Sequence, residues 1–441
     1  MTNLLIKNTT IITGFHSSKV LTNASVLIEE GLITKIYHDH ETCPKGVHTL
    51  SGEGQVLLPG FINAHTHFYS AFARGFSKME PAHNFAEILK NLWWKLDRHL
   101  TPEACYYSAL LGCIEAIKSG TTTVIDHHAA PSAFSLNRLS DAVDKSGIRA
   151  CLCYEVSDRD GQEIAARGIR ENIDFLKNLK LQTSDRIKGL FGLHASFTVS
   201  EATLNESVQA MKLLDSGFHI HLAEDVSDQL HSTSQYGCRV TERLDRAGAL
   251  NSNSVLAHGV HLDQNELAII KDRNCCLIHN AQSNMNNGVG IADLEMWQNA
   301  GITFGLGTDA MTYNMLEELR SAIWLQKLKA GDPSHGFNAV TSALLEGNPE
   351  IARRIWDLPL GEIKPGNPAD LVLFKYQPYT DLNDENIAGH LVFGISQVDA
   401  NTTIVNGKPL MINRELTELD ETAINCAAKP HADQLWKAML S

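Results

Sequence analysis

Through its middle, the chain alternates short apolar runs rich in β-branched residues with longer segments of helical periodicity. The runs are FINAHTH (61–67), TTTVIDHH (121–128), IRACLCYE (148–155), IKGLFGLH (187–194), GFHIHLAE (217–224), NSVLAHGVH (253–261), NCCLIHN (274–280) and ITFGLGTD (302–309). Each is short and continuously apolar, as expected of a strand buried on both faces. Helical patterns such as Glu103–Lys118, Ser200–Ser216 and Leu316–Lys329 lie between them. Helix starts are marked by Thr101-Pro102, Ser200-Glu201 and Asp263-x-x-Glu266, which supply N-cap oxygens, an N1 proline or first-turn acids. Eight strands, each followed by a helix, predict a (β/α)₈ TIM barrel. A doubly wound open sheet is the alternative, but no G-x-G-x-x-G or P-loop follows any strand.

The two ends of the chain read as strands and turns instead. Val26 and Ile28, then Ile33 and Ile36 after a Glu-Glu-Gly turn, alternate as in a half-buried sheet. Residues 361–374 and 402–408 repeat that character, and Asn406-Gly407 is a tight-hairpin signal. Neither end has enough apolar area for a core of its own. They predict a small composite β-sandwich from residues 1–57 and 361–441, around a barrel spanning residues 58–360.

Composition narrows the partners. Of 441 residues, 43% are apolar and 20% charged, with no apolar run of membrane-spanning length. The net charge of −14 opposes binding to nucleic acid or an anionic membrane. The N-terminal residues lack the pattern of a signal peptide. Nine cysteines, with no C-x-x-C, read as buried thiols of a cytoplasmic protein. A small-molecule substrate is the expected partner, and a homodimer is the base-rate assembly.

Polar residues gather where the strands should end. They are His65 and His67, then Asp126-His127-His128, His194, His219 and His221 with Glu224 beyond, His258 with His261, His279, and Thr308-Asp309. In a barrel those ends build one catalytic face, so residues remote in sequence converge there. His-x-His on a strand puts both imidazoles on one side, one pleat apart. With His221 and Asp309 they predict an N₃O site for one divalent ion, Zn²⁺ or alternatively Fe²⁺. Water bound to such an ion reaches a pKa of about 7 and attacks as hydroxide. Glu224 is placed to shuttle its proton, and His258 to hold it from the other side. No lysine ends the fourth strand, which argues against a carbamylated bridge between two metals.

The other histidines carry blander readings. His127 and His128 point to opposite faces, so at most one reaches the site. His219 is expected in the core or behind the ligands, and His83, His99 and His231 in solvent. Trp93 and Trp94 read as helix packing, with one able to cap an aromatic ring.

These motifs resemble the amidohydrolase superfamily, in its aminohydrolase/chlorohydrolase branch, over essentially the whole chain. The matching segments are Pro59-Gly60-Phe61-Ile62-Asn63-Ala64-His65-Thr66-His67, His221-Leu222-Ala223-Glu224, Leu256-Ala257-His258, Ser283-Asn284, Gly305-Leu306-Gly307-Thr308-Asp309 and residues 364–371. The double Trp and Asp126-His127-His128-Ala129 are most similar to the SsnA-type aminohydrolases. The resemblance implies that His65, His67, His221 and Asp309 bind metal, Glu224 moves protons and His258 orients water. It implies substrate contacts for His194 and Asp97, and pocket positions are also expected of His279 and His127. The implied reaction is hydrolytic deamination of an amino-substituted N-heterocycle, whether purine-, pterin- or triazine-like. Cyclic amide hydrolysis, halide displacement or a non-catalytic binding barrel are the alternatives. The H-x-E and P-C-x-x-C signature of cytidine-type deaminases is missing.

Overall fold

The computed structural model describes residues 3–14, 18–131, 135–181 and 184–441. Barrel strands Phe61–Thr66, Thr121–Asp126, Arg149–Leu152 and Ile187–Gly189 form one parallel arc. Strands Phe191–Ala195, Phe218–Leu222, Val255–His258, Cys276–His279 and Thr303–Leu306 form a second. Parallel bridges Val156–Leu193 and Thr66–Asp309 link the two arcs. All eight predicted strand positions are occupied, and the fourth is broken at Leu190. There Ile187–Gly189 pairs with the third strand and Phe191–Ala195 with the fifth. Gly192 makes this crossing possible, because a Cβ at that position would lie 2.2 Å from Tyr154 O.

The helix signals hold within a residue or two. Helix Pro102–Ser119 is capped by Thr101, whose Oγ1 accepts from Ala104 N, and it ends at Gly120 with φ 80°. Helix Glu201–Leu214 starts at Ser200 and stops at Asp215 in the left-handed region. Asp263 and Glu266 form a reciprocal capping box on helix Gln264–Asp272. The predicted 316–329 segment is helix Met315–Ala330.

The terminal strands form one hydrogen-bonded sheet, and the N- and C-terminal halves meet where Val56–Pro59 pairs antiparallel with Leu371–Phe374. Its own buried cluster includes Ile6, Val26, Ile28, Ile33, Leu57, Leu371 and Ile404. Asn406 and Gly407, at φ 49° and 72°, make the hairpin turn between Ala400–Val405 and Lys408–Ile412. The C-terminal segment does not stay with this sheet throughout. Helix Glu421–Met439 lies on the barrel, with Trp436 Nε1 donating to Phe72 O at 2.7 Å and Lys118 Nζ 2.8 Å from Glu421. It turns Ala428, Leu435 and Met439 inward, an apolar stripe that the strand-and-turn reading of residues 361–441 overlooked.

Sheet and barrel are also joined by charge. Arg149, fully buried at the start of the third barrel strand, has Nε 2.6 Å from Asp370 Oδ2, and Asp370 also accepts from Asn406 N. Asp370→Ala leaves the guanidinium with only the outlying Asp185, at 3.4 Å. We expect a loss of about 3–5 kcal/mol, the usual consequence of unpairing a buried charge, readable by urea unfolding. A loss below about 1 kcal/mol would mean that solvent reaches Arg149.

Candidate active site

The C-terminal strand ends converge on a compact, buried set of donors. His65, His67, His221 and Asp309 each offer a ligand atom, and these atoms all lie within 4.8 Å of one another. Asp309 Oδ1 is 2.8 Å from His67 Nε2 and 3.8 Å from His65 Nε2, and His221 Nε2 is 3.3 Å from His67 Nε2. Four donors at about 2.0–2.2 Å from one tetrahedral ion stand about 3.3 Å apart, so the spacing fits. The tautomers fit too. His65 Nδ1 is 2.8 Å from His219 Nε2, and His67 Nδ1 donates to His127 O. Both Nε2 atoms therefore face inward, and His65 Nε2 is buried with no hydrogen-bond partner. Facing ring nitrogens and an orphaned buried donor atom call for a cation between them.

Glu224 and His258 flank this set. His258 Nδ1 donates to Asn284 Oδ1 at 2.9 Å, which directs its unpartnered Nε2 to within 3.5 Å of Glu224 Oε2 and 3.8 Å of Asp309 Oδ2. Asn287 Nδ2 donates to Glu224 Oε1 at 3.3 Å, and Ser283 Oγ donates to Asp309 Oδ2. One short helix, Ala281–Asn287, thus orients all three protic groups. Burial, with Asp309 adding to it against the opposing His258, pushes the Glu224 carboxyl up to about 7. Burial pushes Asp309 up as well, but the hydrogen bond and charge of His67 outweigh it and hold Asp309 below the usual carboxylate range.

Three of these strand ends leave extended geometry: Ala223, His258 and Asp309 have φ of 47°, 75° and 52°. Asp228 Oδ2 accepts from Ala223 N at 3.1 Å and steadies the turn that presents Glu224. The left-handed backbone re-aims side chains that strict alternation would send elsewhere.

The donor set opens into a cavity walled by Tyr69, Phe85, Trp93, Trp94 and Phe197, with Asp97 and Arg159 also lining it. His194 and Asp97 line it as expected. Asp97 is paired with Arg159, which also lies over the Trp94 ring at 5.5 Å. Burial nevertheless raises the Asp97 carboxyl to about 7. Two expected pocket residues lie elsewhere. His279 is fully buried edge-on to Trp297, ring centroids 6.3 Å apart, with neither ring nitrogen bonded. His127 is stacked on His219, ring centroids 4.3 Å apart, with Nδ1 3.4 Å from His221 Nε2, and does not line the cavity. Both tryptophans pack against Phe85, Leu89 and Val289, and both also line the cavity.

Smaller differences concern exposure. His83 is exposed, but His99 and His231 are half-buried. Cys426 is exposed and Cys43 half-buried, while the other seven cysteines are buried. Glu155, Arg159 and Asn287 were not anticipated as site residues. Glu155 had a signal, since it ends the third predicted strand. Arg159 and Asn287 lie in a loop and a short helix whose approach no local pattern gives.

Burial also holds His65, His127, His128, His194, His219, His221 and His279 below the ordinary imidazole value, to about 3 for His128, His219 and His279, whereas in His67 burial is outweighed by Asp309 and Glu155, which raise it well above that value. Neutral imidazoles are the form that ligates metal. At those seven lowered imidazoles the unfolded chain takes up protons near pH 6.5 and the folded apoprotein does not, so the stability they contribute above that pH is lost as pH falls toward 3. We expect the urea midpoint of metal-free protein to drop steeply below about pH 6.5. A flat midpoint from pH 7 to 5 would contradict the buried, neutral histidines.

The amidohydrolase family pattern matches residues 56–410. The chain belongs to the amidohydrolase family. It is 32% identical over 444 residues to 5-methylthioadenosine/S-adenosylhomocysteine deaminase of Pelotomaculum thermopropionicum, covering 99% of each chain. It is 33% identical over 443 residues to 5'-deoxyadenosine deaminase of Methanobrevibacter smithii, covering 99% of this chain and 98% of that one. Its fold is that of an adenosine deaminase from Xanthomonas campestris solved with bound zinc, with a TM-score of 0.85, 23% identity and 99% of each chain covered. No helix among the described residues is long and apolar enough to cross a membrane.

Proposed function

We propose that this protein is a metal-dependent aminohydrolase that deaminates an amino-substituted purine, an adenine nucleoside being the leading candidate. The carrying observation is Glu224, a buried carboxyl pushed up to about 7 between His258 and the donor set. His65, His67, His221 and Asp309 would hold one divalent ion, Zn²⁺ by its suitability to three imidazoles and a carboxylate and by the zinc bound in the related fold. When bound, the ion supplies the Lewis acidity that makes water a nucleophile at neutral pH.

The rest is done by side chains. Glu224 takes a proton from the attacking water and gives it to the ring nitrogen next to the amino-bearing carbon. It then carries the second proton of that oxygen to the amino group, so that the C–N bond breaks with ammonia as the leaving group. A carboxyl that titrates near neutrality exchanges protons in both directions at little cost. His258, fixed by Asn284, turns Nε2 toward the attacking water and orients it by accepting one of its hydrogens. Asn287 and Ser283 keep Glu224 and Asp309 in register as charge shifts between them. Trp93, Trp94 and Phe197 suit the faces of a planar heterocycle, and the buried site excludes bulk water from the leaving amine. The relatives' substrates support an adenine ring, and the seven buried cysteines suit a cytoplasmic setting. A homodimer remains the base-rate assembly.

The test is ammonia release by zinc-loaded protein from adenosine, 5'-deoxyadenosine, 5-methylthioadenosine, guanine and amino-triazines. Release from a purine in that panel is the expected result. Chloride from a chlorotriazine, or ring opening of a cyclic amide without ammonia, would redirect the assignment while keeping the same centre. Full metal content with no turnover of any compound would favour a binding barrel.

A further inference from the structure

Glu155 follows the third barrel strand, and the reaction as described does not use it. Its side chain is 1% exposed, it does not line the cavity, and one of its oxygens, Oε1, makes no hydrogen bond. Its ion-pairing neighbours among the described residues are all imidazoles. Oε1 is 3.3 Å from His67 Nδ1 and 3.5 Å from His127 Nδ1, and Oε2 is 3.8 Å from His194 Nε2. A carboxylate this deeply buried is costly without a compensating positive charge.

Charge counting at the centre supplies the reason. A divalent ion on three neutral imidazoles and Asp309 leaves one uncompensated positive charge. Glu224 changes its charge as it moves protons, so it is not a fixed counter-ion. Glu155 stands directly behind His67, on the ring nitrogen opposite the one that faces Asp309. We propose that Glu155 is the fixed counter-charge of the metal centre and the positioning residue that, with His127 O, holds the His67 proton on Nδ1. This keeps the Nε2 lone pair on the ion and strengthens it as a donor, as a carboxylate behind a metal-bound imidazole does elsewhere. The inference rests on the single-metal reading given above.

A competing role is ligation of a second ion, because His67, His127, Glu155 and His221 also offer atoms within 4.8 Å of one another. His67 and His221 already belong to the first set, and His67 Nδ1 is engaged with His127 O. That leaves too few free donors for two ions at once.

The experiment loads full-length wild type, Glu155→Gln and Glu155→Asp with Zn²⁺ or Co²⁺ and titrates each against a chelator. Wild type is expected to take up one equivalent. Glu155→Gln is expected to bind Zn²⁺ about 10–100-fold more weakly. Its Co²⁺ visible bands should shift, and its KM should be unchanged once metal is saturating. Glu155→Asp keeps the charge but withdraws it by one methylene, and is expected between the two. It carries the test alone if the glutamine variant does not fold. Zn²⁺ affinity within twofold of wild type in the folded variants overturns the proposal. So does uptake of two equivalents by wild type and one by Glu155→Gln, which makes Glu155 a ligand. A wild type that binds no metal overturns the functional reading itself, and this inference with it.

Discussion

Glu224→Gln should keep a full equivalent of metal and lose about 10²–10⁴-fold in kcat, the usual share of a positioned acid–base group. The substitution preserves shape, and the amide can still meet Asn287 and His258. It cannot exchange a proton, and no other carboxyl replaces it. Asp309 is drawn to His67 and Ser283, and Asp228 is tied to Ala223 N. The check is steady-state turnover beside metal analysis of the same sample. Near-wild-type kcat at full metal content would remove Glu224 from the mechanism. Loss of metal together with activity would instead make it a ligand.

His221→Ala is expected to abolish metal uptake and, with it, both activity and metal-dependent stabilisation. Only the folded chain assembles the four donors, since they come from the first, fifth and eighth strand positions. Metal therefore binds the native state and raises its stability, by about 4 kcal/mol when free ion exceeds Kd a thousandfold. Wild type should melt higher with Zn²⁺ than after chelation, and His221→Ala should melt alike in both conditions. The variant's melting point should approach that of chelated wild type, because removing one imidazole also removes a buried neutral group that acid would titrate. A variant still stabilised by Zn²⁺ would move His221 out of the ligand set.

The two predictions rest on residues of very different legibility. His65 and His67 are readable from the strand period alone, because two residues one pleat apart must share a face. His221 and Asp309 follow once the strands are arranged in a ring, since every strand end then faces the same opening. Helix boundaries at Thr101, Ser200 and Asp263 are equally local, because an N-cap oxygen meets backbone amides two or three residues away.

The failures share a cause. His279 and His127 were expected in the pocket because they end strands, but the side on which a terminal residue emerges depends on the backbone there. At Ala223, His258 and Asp309 that backbone is left-handed, a state set by contacts such as Asp228 on Ala223 N. The partnership of Asp97 with Arg159, and of Asn287 with Glu224, joins residues more than sixty positions apart for which no pattern exists. The sequence by itself determined the repeating strand–helix order, the two-ended sheet and the donor types, because periodicity, capping and ligand chemistry act over a few residues. Only the tertiary structure decided the surroundings that suit each carboxylate to its proposed role: Glu224 beside His258, Asp309 against His67 and Ser283, and Glu155 behind His67. Those roles depend on burial and on distances of a few ångströms between strands, which are properties of the packed barrel and not of any one segment.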